Sequence, residues 1–285
     1  TNVKEKIMKL AVCGCSWSSR DPNYPDTEFG YFISNDLDWD YKNYGRVGCD
    51  NFSIRLQVDQ AIKDKADFVI INWTTACRFS WNHSGKAYDP KQGISHLDYD
   101  VDEYMTNETS HPTYPANEPV IISQSLTGMI NTQDIDISYE ELIKWWPNLG
   151  TSMTKKQYEV FREYFIHMYD DDLEAHKQYY IMQSAVKALQ DAHIPFIFAP
   201  NTFGFKQTMM EYKGLSDEEA QRMYKNWDFV PEEMFEPRGI ADALQWDFEI
   251  MEDPINYPTH NHLHHLSAWA QEKWANEIAL PRIKK

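Results

Sequence analysis

An α/β fold, with about five parallel strands in a doubly wound sheet and helices on both faces, is what this sequence predicts. Three observations carry that prediction. Short apolar runs recur along the chain, each closing in a turn of small or polar residues. The segments between several of them place apolar residues at helical spacing. A chain of 285 residues with 42% hydrophobic content can also bury one sizeable core.

The first run, Leu10-Ala11-Val12-Cys13, leads directly into Gly14-Cys15-Ser16-Trp17. It reads as a buried strand ending in a strand-to-helix turn. A second glycine-containing turn, Asn43-Tyr44-Gly45-Arg46-Val47-Gly48-Cys49-Asp50-Asn51, precedes an amphipathic segment with Ile54, Val58, Ala61 and Ile62 on one face. The third run, Asp67-Phe68-Val69-Ile70-Ile71-Asn72-Trp73-Thr74, also ends in hydrogen-bonding residues. Strand, turn and helix repeat, so the three turns are expected at one edge of a parallel sheet.

Residues 78–154 are rich in Asn, Asp, Ser, Pro and aromatics, with brief apolar runs such as Val120-Ile121-Ile122. They are expected to form an irregular or helical insertion or cap within one domain spanning 1–285, beside the active-site edge. Residues 155–192 carry Tyr158, Phe161, Phe165, Met168, Tyr169 and Tyr180 near helical spacing and read as one long or two broken helices. Ile194-Pro195-Phe196-Ile197-Phe198-Ala199-Pro200 is the next strand, its proline suited to a strand start. Ser216-Asp217-Glu218-Glu219 reads as a helix start. Ser267 is the expected N-cap of a last helix carrying Ala270, Trp274 and Ile278.

This arrangement points to chemistry. Ser16 at a turn beyond a buried strand is placed as a nucleophile, with backbone N–H groups following it that can hold an anion. The run His262-Leu263-His264-His265-Leu266-Ser267 lies just before the last helix, where a histidine can fold back to the sheet edge as a base.

These motifs resemble the SGNH hydrolases, also called GDSL-type esterases. Gly14-Cys15-Ser16 matches the first block, Gly48 with Asn51 the second, and Asn72-Trp73-Thr74 lies at the third. His265-Leu266-Ser267 fits the second half of the last block, while His262 takes the position of the family's aspartate. Cys15 and Thr74 are further departures, at positions where the family has aspartate and asparagine. The resemblance implies a flavodoxin-like three-layer sandwich and a serine esterase that hydrolyses a small acyl ester, most plausibly an O-acetyl group on a carbohydrate. Ser16 would be its nucleophile and His265 its base, with His262 beside it. Gly48, the Ser16 N–H and the side chain of Thr74 or Asn72 would hold the oxyanion, and Asn51, Trp73 and Arg78 would bind substrate. Asp247, Glu249 or Asp253 could supply the carboxylate missing at His262. No cofactor is implied. The resemblance extends to proteins encoded by tailed bacteriophages, and the alternative it allows is a catalytically weakened glycan- or protein-binding, virion-associated protein.

Composition narrows the partners. With 27 Lys and Arg against 44 Asp and Glu the formal net charge is −17, which disfavours nucleic acid and anionic membranes. The opening residues lack a secretory pattern, so a cytoplasmic or virion-associated protein is expected. Cys13, Cys15, Cys49 and Cys77 lie in or beside the edge blocks. Their spacing and that of His260, His262, His264 and His265 allow a zinc site, but buried thiols and no metal are the favoured reading. Trp73, Trp81, Trp145 and Trp146 could stack on a sugar, with most of them expected in the core.

Overall fold

The computed structural model describes residues 6–15, 17–19, 26–45, 50–74, 79–82, 121–124, 138–145, 154–200, 229–236 and 268–285. Four strands form one parallel sheet: β1 (Lys9–Gly14), β2 (Asp40–Asn43), β3 (Phe68–Trp73) and β6 (Phe196–Pro200), in the order β2-β1-β3-β6. Apart from Lys9 at the start of β1, the central strands β1 and β3 are buried, as expected for a sheet covered on both faces, whereas β2 at the edge is partly exposed.

Helix α1 (Phe29–Leu37) links β1 to β2, and α2 (Asn51–Lys63) links β2 to β3. Because the chain leaves β1 toward one neighbour and returns on its other side, right-handed crossovers put α1 and α2 on opposite faces. Their packing agrees. Helix α1 lies against the C-terminal helical segment, and α2 against the long α5 (Asp171–Asp191). The predicted face of α2 is the buried one, with Ile54, Val58 and Ala61 inside and Ile62 packed at the margin.

Where one long or two broken helices were expected, two form: α4 (Lys155–His167) and α5. The break has local causes. Thr154 closes a capping box with Gln157 at the start of α4, and Asp170 caps α5 by accepting from the Leu173 N–H at 2.7 Å. The last helix starts at Ala268, one residue after the expected Ser267 cap, and buries Ala270 and Trp274 as anticipated. It runs as α6 (Ala268–Trp274), a π-helical segment (Ala275–Ala279) and α7 (Leu280–Ile283). Trp274 meets Phe29 of α1 with ring centroids 4.8 Å apart.

Two expectations are modified. The sheet has four strands among the described residues, and beside β6, where a fifth would stand, there is a single parallel bridge from Phe198 to Phe235. That short stretch is held by the Glu236 N–H donating to the Phe198 carbonyl at 3.0 Å and by an ion pair of Glu236 with Arg282 at 2.6 Å. Within 78–154, expected to be irregular or helical, β4 (Phe79–Asn82) and β5 (Ile121–Gln124) pair antiparallel, and a helix, α3 (Tyr139–Trp145), follows. The alternation of Phe79 and Trp81 with polar residues and the β-branched Ile121-Ile122 account for the pairing. The Ser216 helix start lies outside the described residues. Among those residues, no helix is long and apolar enough to cross a membrane.

Asp67 fixes the entry to β3. Its carboxylate pairs with Lys6 and accepts the Lys9 N–H at 3.0 Å, which holds its pKa below the ordinary 3.8, chiefly through the Lys6 hydrogen bond. The unfolded chain therefore takes up a proton that the native state excludes, so this contribution is present above pH 3.8 and lost as pH falls through the lower folded value. Thermal unfolding followed from about pH 5 to about pH 2.5 is expected to show a smaller acid-induced drop for Asp67→Asn than for the native sequence.

Candidate functional site

In a parallel sheet all strands point the same way, so the turns after β1, β2 and β3 open at one edge. The register makes this concrete, with Gly14 opposite Asn72 and Val12 opposite Asn43. The strand order reverses between β1 and β3, and such a switch point leaves a crevice beyond the strand ends.

Leaving the sheet creates a hydrogen-bonding problem that α2 solves. The Tyr44 N–H donates to the Val12 carbonyl at 2.8 Å, so the polar backbone of Val12, and of Gly14 two residues on, faces β2. But β2 ends at Asn43, leaving Gly14 without a strand partner on that side. The side chain of Gln57 takes its place: the Gly14 N–H donates to Oε1 at 2.6 Å and Nε2 donates to the Gly14 carbonyl at 3.2 Å. The same device recurs one strand over. The Thr74 N–H donates to Asn51 Oδ1 at 2.9 Å and Asn51 Nδ2 donates to the Thr74 carbonyl at 3.1 Å, on the side vacated by β1. Both amides are buried, and one unsatisfied backbone group there would cost roughly 1–3 kcal/mol.

A second network joins the turns to each other. The Cys15 carbonyl accepts from the N–H groups of Ser18 and Ser19 at 2.9 and 3.1 Å, which turns the chain back beyond β1. Ser18 Oγ donates to Asn72 Oδ1 at 3.0 Å. Asn43 Nδ2 donates to the Ser18 carbonyl at 2.6 Å, and its Oδ1 accepts the Gly45 N–H at 2.8 Å. Contact is close enough to require glycine at two points. A Cβ on Gly14 would fall 2.5 Å from Ser18 Oγ, and one on Gly45 would fall 2.9 Å from the Ser18 carbonyl carbon and oxygen.

Helix α2 begins at this edge. Asp50 is its N-cap, accepting the Ser53 N–H at 2.8 Å, and Asn51 is its first residue. From the opposite face, Gln271 of α6 reaches the same turn, its Nε2 donating to the Trp17 carbonyl at 3.2 Å and its Oε1 accepting the Phe29 N–H at 3.1 Å.

Of the residues singled out by sequence, Asn51, Asn72 and Thr74 are brought together here, while Ser16, Gly48, Arg78, His262 and His265 lie outside the described residues. Thr74 is 3% exposed, and its hydroxyl makes no hydrogen bond among the described residues. Asn51, expected to bind substrate, clasps the Thr74 backbone through both polar atoms of its amide. Asn72 has its Oδ1 committed to Ser18. Trp73, expected as a substrate-stacking ring, is wholly buried against Phe198 with centroids 5.6 Å apart and offers no surface to a sugar. Alternation along β3 explains it, since residue 73 points into the covered core. The tryptophans at 81, 145 and 146 have side chains outside the described residues.

Cys13 and Cys15 are buried, and burial pushes the Cys13 thiol up, opposite to what a thiolate ligand or nucleophile needs. No group of three or more His, Cys, Asp or Glu residues suited to a metal occurs among the described residues. Sequence reading missed Ser18, Asn43, Gln57 and Gln271. Their only sequence signal was a polar residue on an otherwise apolar face, as Gln57 is between Ile54 and Val58. No family model matches the chain, and no curated protein matches it.

Gly45→Ala is expected to lower unfolding stability by about 1–3 kcal/mol in urea titration, since backbone of the neighbouring turn must move. In native-state alkylation read by peptide mass spectrometry, Cys13 and Cys15 should stay unmodified until the chain unfolds.

Proposed function

We propose that this edge is the acyl-transfer site of a serine esterase resembling the SGNH hydrolases. The observation that carries the reading is the convergence of Gly14 and Thr74 at the switch point between β1 and β3, with the turn after β2 tied to it through Asn43, in a sheet ordered β2-β1-β3-β6, the order of a flavodoxin-like fold. It brings the backbone flanking Ser16 beside the third block, as acyl transfer requires.

Ser16 Oγ attacks the acyl carbon while His265 takes its proton. The tetrahedral intermediate then collapses, the bond to the leaving alcohol breaks, and His265 returns the proton to that alcohol. Water repeats the sequence on the acyl-serine to release the acid. His262 stands where the family has its aspartate, so orientation of His265 falls to His262 or to one of Asp247, Glu249 and Asp253. The oxyanion is held by the Ser16 and Gly48 N–H groups and by Thr74. Support for Thr74 comes from its hydroxyl, which makes no hydrogen bond among the described residues. The substrate is a small acyl ester, an O-acetyl group on a carbohydrate being the form the family resemblance favours, and the chemistry uses no cofactor.

A buried orphan hydroxyl costs stability, and the proposal gives that cost a purpose. Thr74→Val should leave stability unchanged or raise it by up to about 1 kcal/mol in urea titration. Hydrolysis of 4-nitrophenyl acetate by the same variant should fall about a hundredfold. Ser16→Ala and His265→Ala should abolish it. Turnover equal in all four proteins would overturn the esterase, and a wild-type chain without turnover would leave a glycan- or protein-binding role on the same scaffold.

A further inference from the structure

Glutamine side chains hold Gly14 at the end of β1 and Trp17 beyond it, and one of them comes from the helix that follows the histidine-rich segment in sequence. Gln57 holds Gly14 on the β1 side. On the other side, Gln271 Nε2 donates to the carbonyl of Trp17, the residue directly after Ser16, at 3.2 Å. Gln271 lies in the first turns of α6, whose first residue, Ala268, is three positions beyond His265.

The orientation of the Gln271 amide is fixed by its partners. A carbonyl can only accept and a backbone N–H can only donate, so Nε2 must face Trp17 and Oε1 must face Phe29. The Phe29 N–H belongs to the first turn of α1, whose N-cap residue Glu28 makes no side-chain cap hydrogen bond. One amide, 8% exposed, thus completes the start of α1 and ties α6 to the nucleophile turn across 254 residues of sequence. Beyond Gln271, α6 continues into the buried Trp274, which packs on Phe29 itself, so the side chain projects from a fixed part of the helix.

We propose that Gln271 is a positioning residue that fixes α6 against the turn after β1, the stretch of chain that carries the proposed nucleophile. The proposal rests on the esterase reading for its chemical meaning. Acyl transfer needs nucleophile and base within hydrogen-bond reach, and a displacement of about 1 Å can cost about a hundredfold in rate. Gln57 and Gln271 together leave the limbs of the turn little room to move, one anchored through the α2 face and the other through the α6 face.

The test compares Gln271→Glu with Gln271→Leu. Glutamate keeps an acceptor for the Phe29 N–H, so α1 remains capped, but it has no donor for the Trp17 carbonyl. Leucine loses both. The expected result is that both variants lose about tenfold or more in kcat toward 4-nitrophenyl acetate with KM within about twofold, and that both lose thermal stability, Gln271→Glu through a buried carboxylate facing the Trp17 carbonyl and Gln271→Leu through the uncapped Phe29 N–H. Amide exchange in a peptide covering residues 17–19 should accelerate in both variants, and exchange at residues 29–32 only in Gln271→Leu. A Gln271→Glu protein with wild-type kcat and unchanged exchange at 17–19 would overturn the proposal and reduce Gln271 to a cap for α1. Absence of turnover in the wild-type chain would sink the esterase instead. Exchange at 17–19 would then decide the clasp alone, faster exchange in Gln271→Glu supporting it and unchanged exchange overturning it.

Discussion

Parallel strands that end at different heights leave backbone groups unpaired, and the answer this protein gives to that constraint shapes everything at the sheet edge. Gly14 runs past the end of β2, and Thr74 runs past the end of β1. Each exposes an N–H and a carbonyl on the side its neighbour has left, in the interior, where no water is assured. A primary amide offers one acceptor and two donors on a planar group much like a peptide. Gln57 and Asn51 therefore act as one-residue strand surrogates, and both belong to α2. The helix is bound to the strand ends by hydrogen bonds as well as by the apolar packing of Ile54, Val58 and Ala61. A shift of α2 along its axis would break four bonds at once, which fixes the two turns relative to each other.

The rest of the edge follows from that fixation. With Gly14 and Thr74 held, the turn after β1 has to fold tightly over Asn72, and Ser18 meets it through a hydrogen bond of 3.0 Å. The tightness is why no Cβ fits at Gly14, and the approach of the second turn, bridged by Asn43, is why none fits at Gly45. The Thr74 backbone is clasped twice, yet its Oγ1 makes no hydrogen bond among the described residues, as is also true of Ser53 Oγ and Trp73 Nε1. For the oxyanion role proposed for Thr74, an unspent donor in fixed surroundings is an advantage, because it need not be pulled away from another partner during the reaction.

How much of this could be read from the chain depends on whether the signal was local. β1, β3, β6 and the buried face of α2 were legible because apolar runs and helical spacing are local patterns that the core simply accepts. The start of α6 was legible for the same reason, a capping serine before a periodic segment. The pairing of β4 with β5 was hidden by the polar and aromatic composition around it, which weakens the strand pattern without removing it. The clasps were not legible at all. Gln57 and Gly14 are 43 positions apart, and Gln271 and Trp17 are 254 apart, so nothing near either residue indicates the partner. Trp73 shows the opposite failure: its neighbours in sequence suggested a site, but alternation along β3 sent the ring into the core while Asn72 and Thr74 met the edge.

The choice of amides over carboxylates at these positions has an electrostatic reason. The chain carries 44 acidic residues and a net charge of −17, yet the groups that build the edge, Asn43, Asn51, Gln57, Asn72 and Gln271, are neutral. A glutamate in place of Gln57 would set a carboxylate oxygen against the Gly14 carbonyl and bury a charge, a combination costing several kcal/mol unless the group took up a proton. It would also place a negative charge beside the point where an oxyanion is proposed to form, working against the donors meant to hold it. Asp50, the buried acid nearest in sequence to these turns, is instead spent on capping the Ser53 N–H at the start of α2. Neutral amides thus satisfy the stranded backbone without adding charge to the edge, so the field there is left to the helix start, the backbone N–H groups and the single hydroxyl of Thr74.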